Sequence, residues 1–373
     1  MTQHTPTRPL EGLRVVDFST LVAGPYCSRY LSDLGAEVIK IESAEGDYMR
    51  SQAPLRDGMS TYFGQVNCGK KSVVANLKDS EMLADVKRLI DTADIVIENF
   101  RPGVMTRFGL DFETLSDSNP GLIYCAVSGY GQTGPGAERP AYAQNVHASS
   151  GHDLTLLRYQ DELTRPANSV LFYADILAAI YALSAVNTAL YSREKTGRGQ
   201  HIDVSLMESV VNLMPYDVQE AQFPAKISRP VYKPSRTTDG FVIIMPNTQR
   251  NFEMLARATG HDEWITDPRF ATVEARYNNF PELLATIEGW TIQRSSEECE
   301  RILSAASVPC GRYRTVAEAL EDPQLKHREA FQTVTDRAGD YLVTNLPFKM
   351  SGGTVSAVPT VSELGEYKLS DFL

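Results

Sequence analysis

The fold class predicted by the sequence is α/β, helices layered on a parallel sheet, and three observations predict it. Apolar runs of strand length alternate with amphipathic stretches of helix length between residues 13 and 128. The first strand, helix and strand fit inside Leu13–Ile41, the pattern of a βαβ unit, whose crossover is right-handed and whose strands are parallel. The third sign lies between Asn168 and Val204, where an alanine-rich helix runs into a turn and an alternating strand. In such a sheet, ligands bind in a crevice at the carboxyl ends of the strands.

Leu13–Phe18 reads as a buried strand. After the loop Ser19 to Gly24, Pro25 suits a first helical position, and Cys27, Tyr30, Leu31 and Leu34 trace an apolar face that stops at Gly35. Val38–Ile41 is the next strand. The pattern returns as Ser72–Leu77 (strand), Ser80–Thr92 (helix) and Asp94–Glu98 (strand), then as a strand at Leu122–Ser128. Two nucleotide motifs fail. The first turn holds a single Gly24-Pro25 and no GxGxxG. Gly64 to Lys71 approaches a P-loop, yet Lys71 stands where Ser or Thr is needed, and a strand follows where a helix should open.

In the central stretch Ile176, Ile180, Leu183 and Leu190 form one helical stripe, with Ala178, Ala179, Ala182 and Ala185 between them. Arg193 and Lys195 suit the negative pole of that helix, and Gly197 its left-handed cap. Ile202, Val204 and Leu206 then alternate with His201, Asp203 and Ser205, and His201 reads as solvated. Met207–Glu220 continues as a helix and Pro224–Pro234 as a loose connection. Phe241–Ile244 reads as a strand, and Asn251–Thr259, Glu282–Thr291 and Glu297–Ser304 as helices. The expected division is a large domain over residues 1–223, completed by 323–373, and a small domain over 224–322. Strand signals at Tyr341–Val343 and Leu346–Phe348 return the chain to the large domain.

Of the 373 residues, 42% are hydrophobic and 22% charged, enough for a large core in two domains. Net charge is -11 with no basic run, which argues against a nucleic-acid partner. Cys27, Cys68, Cys125, Cys299 and Cys310 are scattered without a CxxC pair, against a disulfide framework and a structural zinc. The polar opening lacks the apolar core of a signal peptide, and no stretch reads as long enough to span a bilayer. A cytoplasmic protein with no membrane partner is therefore expected. No HExxH or GxSxG occurs, and no cluster of histidines and carboxylates has metal spacing, so hydrolase chemistry and a bound metal are not expected.

Asp175 stands where the long helix begins, and two readings of it stay open. As an N-cap it contributes about 1 kcal/mol. As an ionised carboxylate at a helix N-terminus, in a mostly apolar pocket, it can serve as a covalent nucleophile. Tyr142, Tyr173 and Tyr232 hint at a pocket that carries hydroxyls.

Several segments, in this order, form a specific set: Leu10–Phe18, Ala23-Gly24-Pro25, Leu34–Glu42, Glu98–Gly103, Gly129–Pro135, Lys195–Gln200, Val308–Gly311 and Leu364-Gly365-Glu366. Through them the chain resembles, over nearly its whole length, the class III coenzyme A transferases, the CaiB/BaiF family that includes formyl-CoA transferase and carnitine CoA-transferase. The resemblance implies a Rossmann-like large domain with a smaller α+β domain, in an interlocked homodimer. It implies transfer of CoA from an acyl-CoA to a small carboxylic acid, with CoA as a substrate and no tightly bound cofactor. The family's nucleophilic aspartate precedes the KTGRGQ turn by one long helix, a place held here by Asp175.

The resemblance also assigns positions around CoA. Val22 and Ala23 match residues that line the pantetheine and thioester, and Ala75 and Lys78 fall on the adenine and phosphate side. Asn99, Phe100 and Arg101 sit at the next strand end, with Arg107 in the helix beyond. Tyr142 and Gln144 become candidates for lining the acyl pocket and hydrogen-bonding Asp175. Three departures stand out. Ser43 replaces an arginine of formyl-CoA transferase and Val22 replaces a glutamine near the thioester, so oxyanion stabilisation has to come from backbone N–H groups or another side chain. The mobile glycine-run loop of that enzyme is missing, which argues against formyl-CoA and oxalate. Two alternatives remain. One is a 2-methylacyl-CoA racemase, which uses His and Asp for proton transfer; Gly151-His152-Asp153 supplies that triplet, but displaced from the racemase position. The other is a CoA-binding protein without catalysis.

Overall fold

The computed structural model describes residues 8–160, 163–224 and 231–373. The chain forms two compact units, one over Met1–Gln222 with Lys326–Leu373 and one over Phe223–Leu325. The elements run β1 (Arg14–Asp17), α1 (Ala23–Asp33), β2 (Glu37–Glu42), β3 (Leu55–Arg56), β4 (Met59–Ser60), α2 (Thr61–Asn67), β5 (Lys71–Val74), α3 (Ser80–Ile90), β6 (Ile95–Glu98), α4 (Phe112–Ser118) and β7 (Ile123–Ser128). They continue through α5 (Ala143–Ser149), α6 (His152–Arg158), α7 (Tyr173–Thr196), β8 (Gln200–Ser205), α8 (Leu206–Asn212) and α9 (Pro215–Gln222). The second unit holds β9 (Ser235–Arg236), β10 (Phe241–Ile244), α10 (Gln249–Thr259), α11 (Val273–Asn278), α12 (Phe280–Thr291), α13 (Ser296–Ala305), β11 (Cys310–Arg312) and α14 (Val316–Leu320). α15 (Pro323–His327), β12 (Phe331–Asp336) and β13 (Gly339–Thr344) follow.

The main sheet is parallel throughout, in the order β5-β2-β1-β6-β7-β8. Both faces are covered at its centre, so β1, β6 and β7 are buried on both sides, while the edge strand β8 is exposed over its first half. Val15 and Ile95 enter a core shared with α1 and α7, while Val16 and Val96 enter one shared with α3 and α4. The helix α1 is buried along its whole length, including an Arg29–Asp33 ion pair at 3.1 Å. The strand that follows Gly64–Lys70 confirms why no P-loop forms there.

α7 departs from the expected stripe. Its buried residues are Ala174, Ala178, Ala179, Ala182, Val186, Ala189 and Leu190, whereas Ile180 is exposed. Alanines let α7 lie close against α1, and close approach decided the buried face over side-chain hydrophobicity. By length and composition this helix is long and apolar enough to cross a membrane, which corrects the expectation that no stretch is. A third of its most apolar window is buried inside the chain. The helix expected over Met207–Glu220 is two, α8 and α9, because Pro215 has no N–H to continue α8 and opens a new helix instead. Leu346–Phe348 lies outside any strand, as Pro347 cannot donate to a ladder.

The second unit pairs β11-β10-β9 antiparallel and covers them with α10, α12 and α13 around Val242, Phe252, Phe270 and Trp290. Tyr232, expected near a substrate pocket, packs its ring on Phe280 in this core.

Candidate active site

Strand order turns beside β1: β2 and β5 lie on one side, β6, β7 and β8 on the other. The loops after β1 and β6 therefore diverge and leave a crevice at the switch point. Buried polar groups hold the first loop. The Asn99 side chain accepts from the Thr20 amide at 2.8 Å and donates to the Thr20 carbonyl at 2.7 Å. Lys40 donates to the Ser19 carbonyl at 2.7 Å and pairs with Asp47 at 3.0 Å, and Asp47 accepts from the Leu21 amide at 3.2 Å. Under the loop, Asp17 accepts from the Ser19 amide and from Ser28 Oγ, and pairs with Lys70 at 2.9 Å. These clamps hold Leu21 at φ 66°, a left-handed conformation that residues with side chains rarely adopt.

Asp175 is the third residue of α7, not its N-cap. Phe172 holds the cap position and has no side-chain acceptor. Half-buried, Asp175 opens on a cavity of about 530 Å³ lined also by Leu21, Val22, Met49, Tyr62, Tyr142, Gln144 and Phe172. Burial pushes its carboxyl up to about 6, against the backbone amides of Asp175 itself and of Ala23, which favour the charged form. Ala23 opens α1, whose N-cap Val22 also offers no side-chain acceptor. The N-terminal turns of two helices thus act on one carboxylate. Burial and the nearby Asp175 charge push Tyr62 up to about 12.

Two more cavities flank the same loops. One, of about 580 Å³, is lined by Thr20, Ser43, Ala75, Lys78 and Phe100 among others. The other, of about 230 Å³, is lined by Asn99, Phe100, Arg101, Arg139 and Tyr142 among others. The fold therefore gathers Val22, Tyr142, Gln144 and Asp175 around the first cavity, and the rest of the expected set, with two exceptions, around the other two. Ala23 is buried beside Asp175 and does not line a cavity. Arg107 sits in a short 3-10 turn rather than a helix, exposed, donating to the Gly103 carbonyl at 3.4 Å and lining none of the three.

Sequence reasoning missed Met49, Tyr62, Phe172 and Arg139, which reach these cavities from loops and a short helix with no periodic signal. It singled out His152 and Asp153 but missed that they cluster with His147. Ligand atoms of His147, His152 and Asp153 lie within 4.8 Å of one another, although no metal spacing was legible. Two donor atoms are already engaged: His147 Nε2 accepts from the Ala174 amide, and His152 Nδ1 meets Asp153 Oδ1 at 3.0 Å. Neither His152 nor Asp153 lines the Asp175 cavity, and Tyr173 packs its ring at a tilt against both histidines and does not line it either. His201 is exposed but stacks on Phe112.

The family model described as CoA-transferase family III matches residues 10–365. Succinyl-CoA–D-citramalate CoA-transferase of Chloroflexus aurantiacus is 34% identical over 386 residues, covering 100% of this chain and 95% of that protein. Acetyl-CoA:oxalate CoA-transferase of Acetobacter aceti is 34% identical over 365 residues, covering 94% and 92%. A crystal structure of a CaiB/BaiF family protein from Brucella suis matches with a TM-score of 0.85 at 33% identity, over 97% of each chain.

Proposed function

The chain belongs to CoA-transferase family III, enzymes that move CoA between carboxylic acids, and from that premise we propose that Asp175 is its nucleophile. The observation that carries this reading is a half-buried carboxylate facing a cavity beside the switch-point loop, with the N-terminal turns of α1 and α7 acting on it. An Asp175 oxygen attacks the donor thioester carbon and expels CoA thiolate, leaving a mixed anhydride. The thiolate attacks the aspartyl carbon, releasing the donor acid and leaving an aspartyl-CoA thioester. The acceptor carboxylate attacks that thioester and expels CoA thiolate, leaving a second mixed anhydride. The thiolate then attacks its acceptor acyl carbon, forming the product acyl-CoA and freeing the Asp175 carboxylate. Each step exchanges one acyl bond for another, so no net proton moves. With the Val22 side chain unable to donate, the Ala23 and Gly24 amides at the start of α1 are the candidates for stabilising the oxyanion.

Lys78 and Arg101 would hold phosphates of CoA, and Ala75, Asn99 and Phe100 would line its path. Ala23 contributes an amide, and Arg107, as exposed as Lys78 and Arg101 but lining none of the three cavities, would at most make an outlying phosphate contact. Lys78→Ala and Arg101→Ala should each raise KM for acyl-CoA about 5–10-fold with little change in kcat, because a charge-assisted contact made equally in both states is uniform binding. Steady-state kinetics at two salt concentrations check this; an unchanged KM removes the residue from the CoA site.

Among the described residues, the lining of the Asp175 cavity includes Leu21, Val22, Met49 and Phe172, the uncharged polar Tyr62, Tyr142 and Gln144, and no lysine or arginine. This supports a small acid with an uncharged body, in contrast to the dicarboxylic acids in the names of the two relatives above. The defining experiment incubates acyl-CoA with a panel of labelled acids: label in the CoA ester is the expected result. Wash-out of the α-hydrogen without exchange would favour the racemase instead, and binding without either, a non-catalytic role. The ionised nucleophile sets the pH dependence. Since the Asp175 pKa is raised, kcat/KM should climb with pH to a plateau, with a midpoint of about 6. A profile flat down to pH 5 would contradict it.

The proposal includes a cytoplasmic homodimer, interlocked as in the family, and the exposed Ile180, Tyr181 and Tyr191 on α7 support its dimeric part. Sedimentation at the mass of one chain would refute it.

A further inference from the structure

We infer that His147 is a positioning residue for the nucleophile: it caps, from α5, the helix that carries Asp175. An α-helix leaves its first amides without intrahelical partners, and a side chain at the N-cap ordinarily accepts from the second or third of them. Phe172 cannot do so. The second amide of α7, that of Ala174, donates instead to His147 Nε2 at 3.1 Å, from a residue 27 positions earlier in the chain. The third amide belongs to Asp175 and acts on its own carboxylate. The helix start is therefore satisfied by one bond across the fold and one within the nucleophile.

The imidazole is held for this task. His147 is 2% exposed, and its ring lies 5.2 Å from that of His152 and 5.6 Å from that of Tyr173, which are 5.2 Å from each other. To accept at Nε2, the ring has to be neutral with its proton on Nδ1. Burial and the neighbouring His152 push its pKa below the ordinary value, against the pull of Asp153, which keeps it neutral at physiological pH. Asp153 is bonded to His152, so the carboxylate of the cluster is spent on the other ring. Without the His147 acceptor, the Ala174 amide stays buried and unpaired, and the first turn of α7 relieves it by fraying. Asp175 is the next residue, and a shift on the order of 1 Å in a reacting group costs about 10²-fold in rate.

This inference rests on Asp175 as nucleophile. The test uses the full-length enzyme with His147→Leu, which fills similar space without an acceptor, and His147→Gln, whose side-chain oxygen reaches about as far as Nε2. The leucine variant should lose about 10–100-fold in kcat at nearly unchanged KM for acyl-CoA, and the glutamine variant should recover most of it. A folded leucine variant with wild-type kcat, or a glutamine variant as slow as the leucine one, overturns the cap. Should the leucine variant not fold, nitrogen-15 spectra of the wild-type histidines decide, since a proton on His147 Nε2 at neutral pH also overturns it. Asp175→Ala is the control. If that variant is active, the nucleophile reading fails; if it is inactive while His147→Leu is indifferent, only the cap fails.

Discussion

Asp175→Ala should abolish CoA exchange, lowering kcat by at least about 10³-fold, because the substitution removes the atom that receives both acyl group and CoA. Hydroxylamine added during turnover of the wild-type enzyme should mark the same side chain as a hydroxamate, read by peptide mass. The variant should also be more stable than its parent. Raising a carboxyl from 3.8 to about 6 by burial means that holding it ionised at neutral pH costs about 3 kcal/mol. The sign follows from proton binding: the folded state keeps this proton to higher pH than the unfolded state, so wild-type stability falls as pH rises from about 4 to about 6. The alanine variant should lack that fall, and its thermal midpoint at pH 7 should exceed the wild type's. Undiminished exchange by Asp175→Ala would end the mechanism, and equal midpoints at pH 7 would mean that the carboxylate is better solvated than its burial implies.

Asp17→Asn should be the most destabilising single change near the site, costing about 3–5 kcal/mol, since it strands the Lys70 ammonium in the interior. Burial alone would raise the Asp17 pKa, but Lys70 and Lys40, with the Ser19 and Ser28 hydroxyls, bring it down to about 2. Burial pushes Lys70 the unfavourable way, down to about 8, with Asp17 only partly restoring it. What the carboxylate gains the ammonium more than loses, so the intact pair adds no net stability while either half alone is costly. Asp17→Asn combined with Lys70→Met should therefore recover a large part of the loss. The favourable share of Asp17 is present above pH 4 and disappears as pH falls toward 2, because its folded pKa is the lower one. The folded fraction of Asp17→Asn should also turn over more slowly, as the single carboxamide oxygen cannot serve both the Ser19 amide and Lys70, which loosens the loop that leads to Val22 and Ala23. Chemical denaturation with activity measured below the transition tests both; a loss under about 1 kcal/mol would show the ammonium relaxing to solvent or another partner.

The sequence by itself determined the parallel strands, the helices α1, α3 and α7, and the position of Asp175 ahead of the KTGRGQ turn. These depend on local periodicity, caps and motif order, all written in neighbouring residues. Tertiary structure alone decided which face of α7 is buried, because a hydropathy stripe counts carbon while close packing on α1 rewards alanine. It alone moved Asp175 from cap to third residue and handed the cap to His147. A hydrogen bond between residues 27 apart, like the Asn99 clamp on Thr20 across 79, leaves no trace in the intervening chain. Pattern reports what a segment can form; which polar atoms meet at the switch point depends on how the sheet brings its loops together.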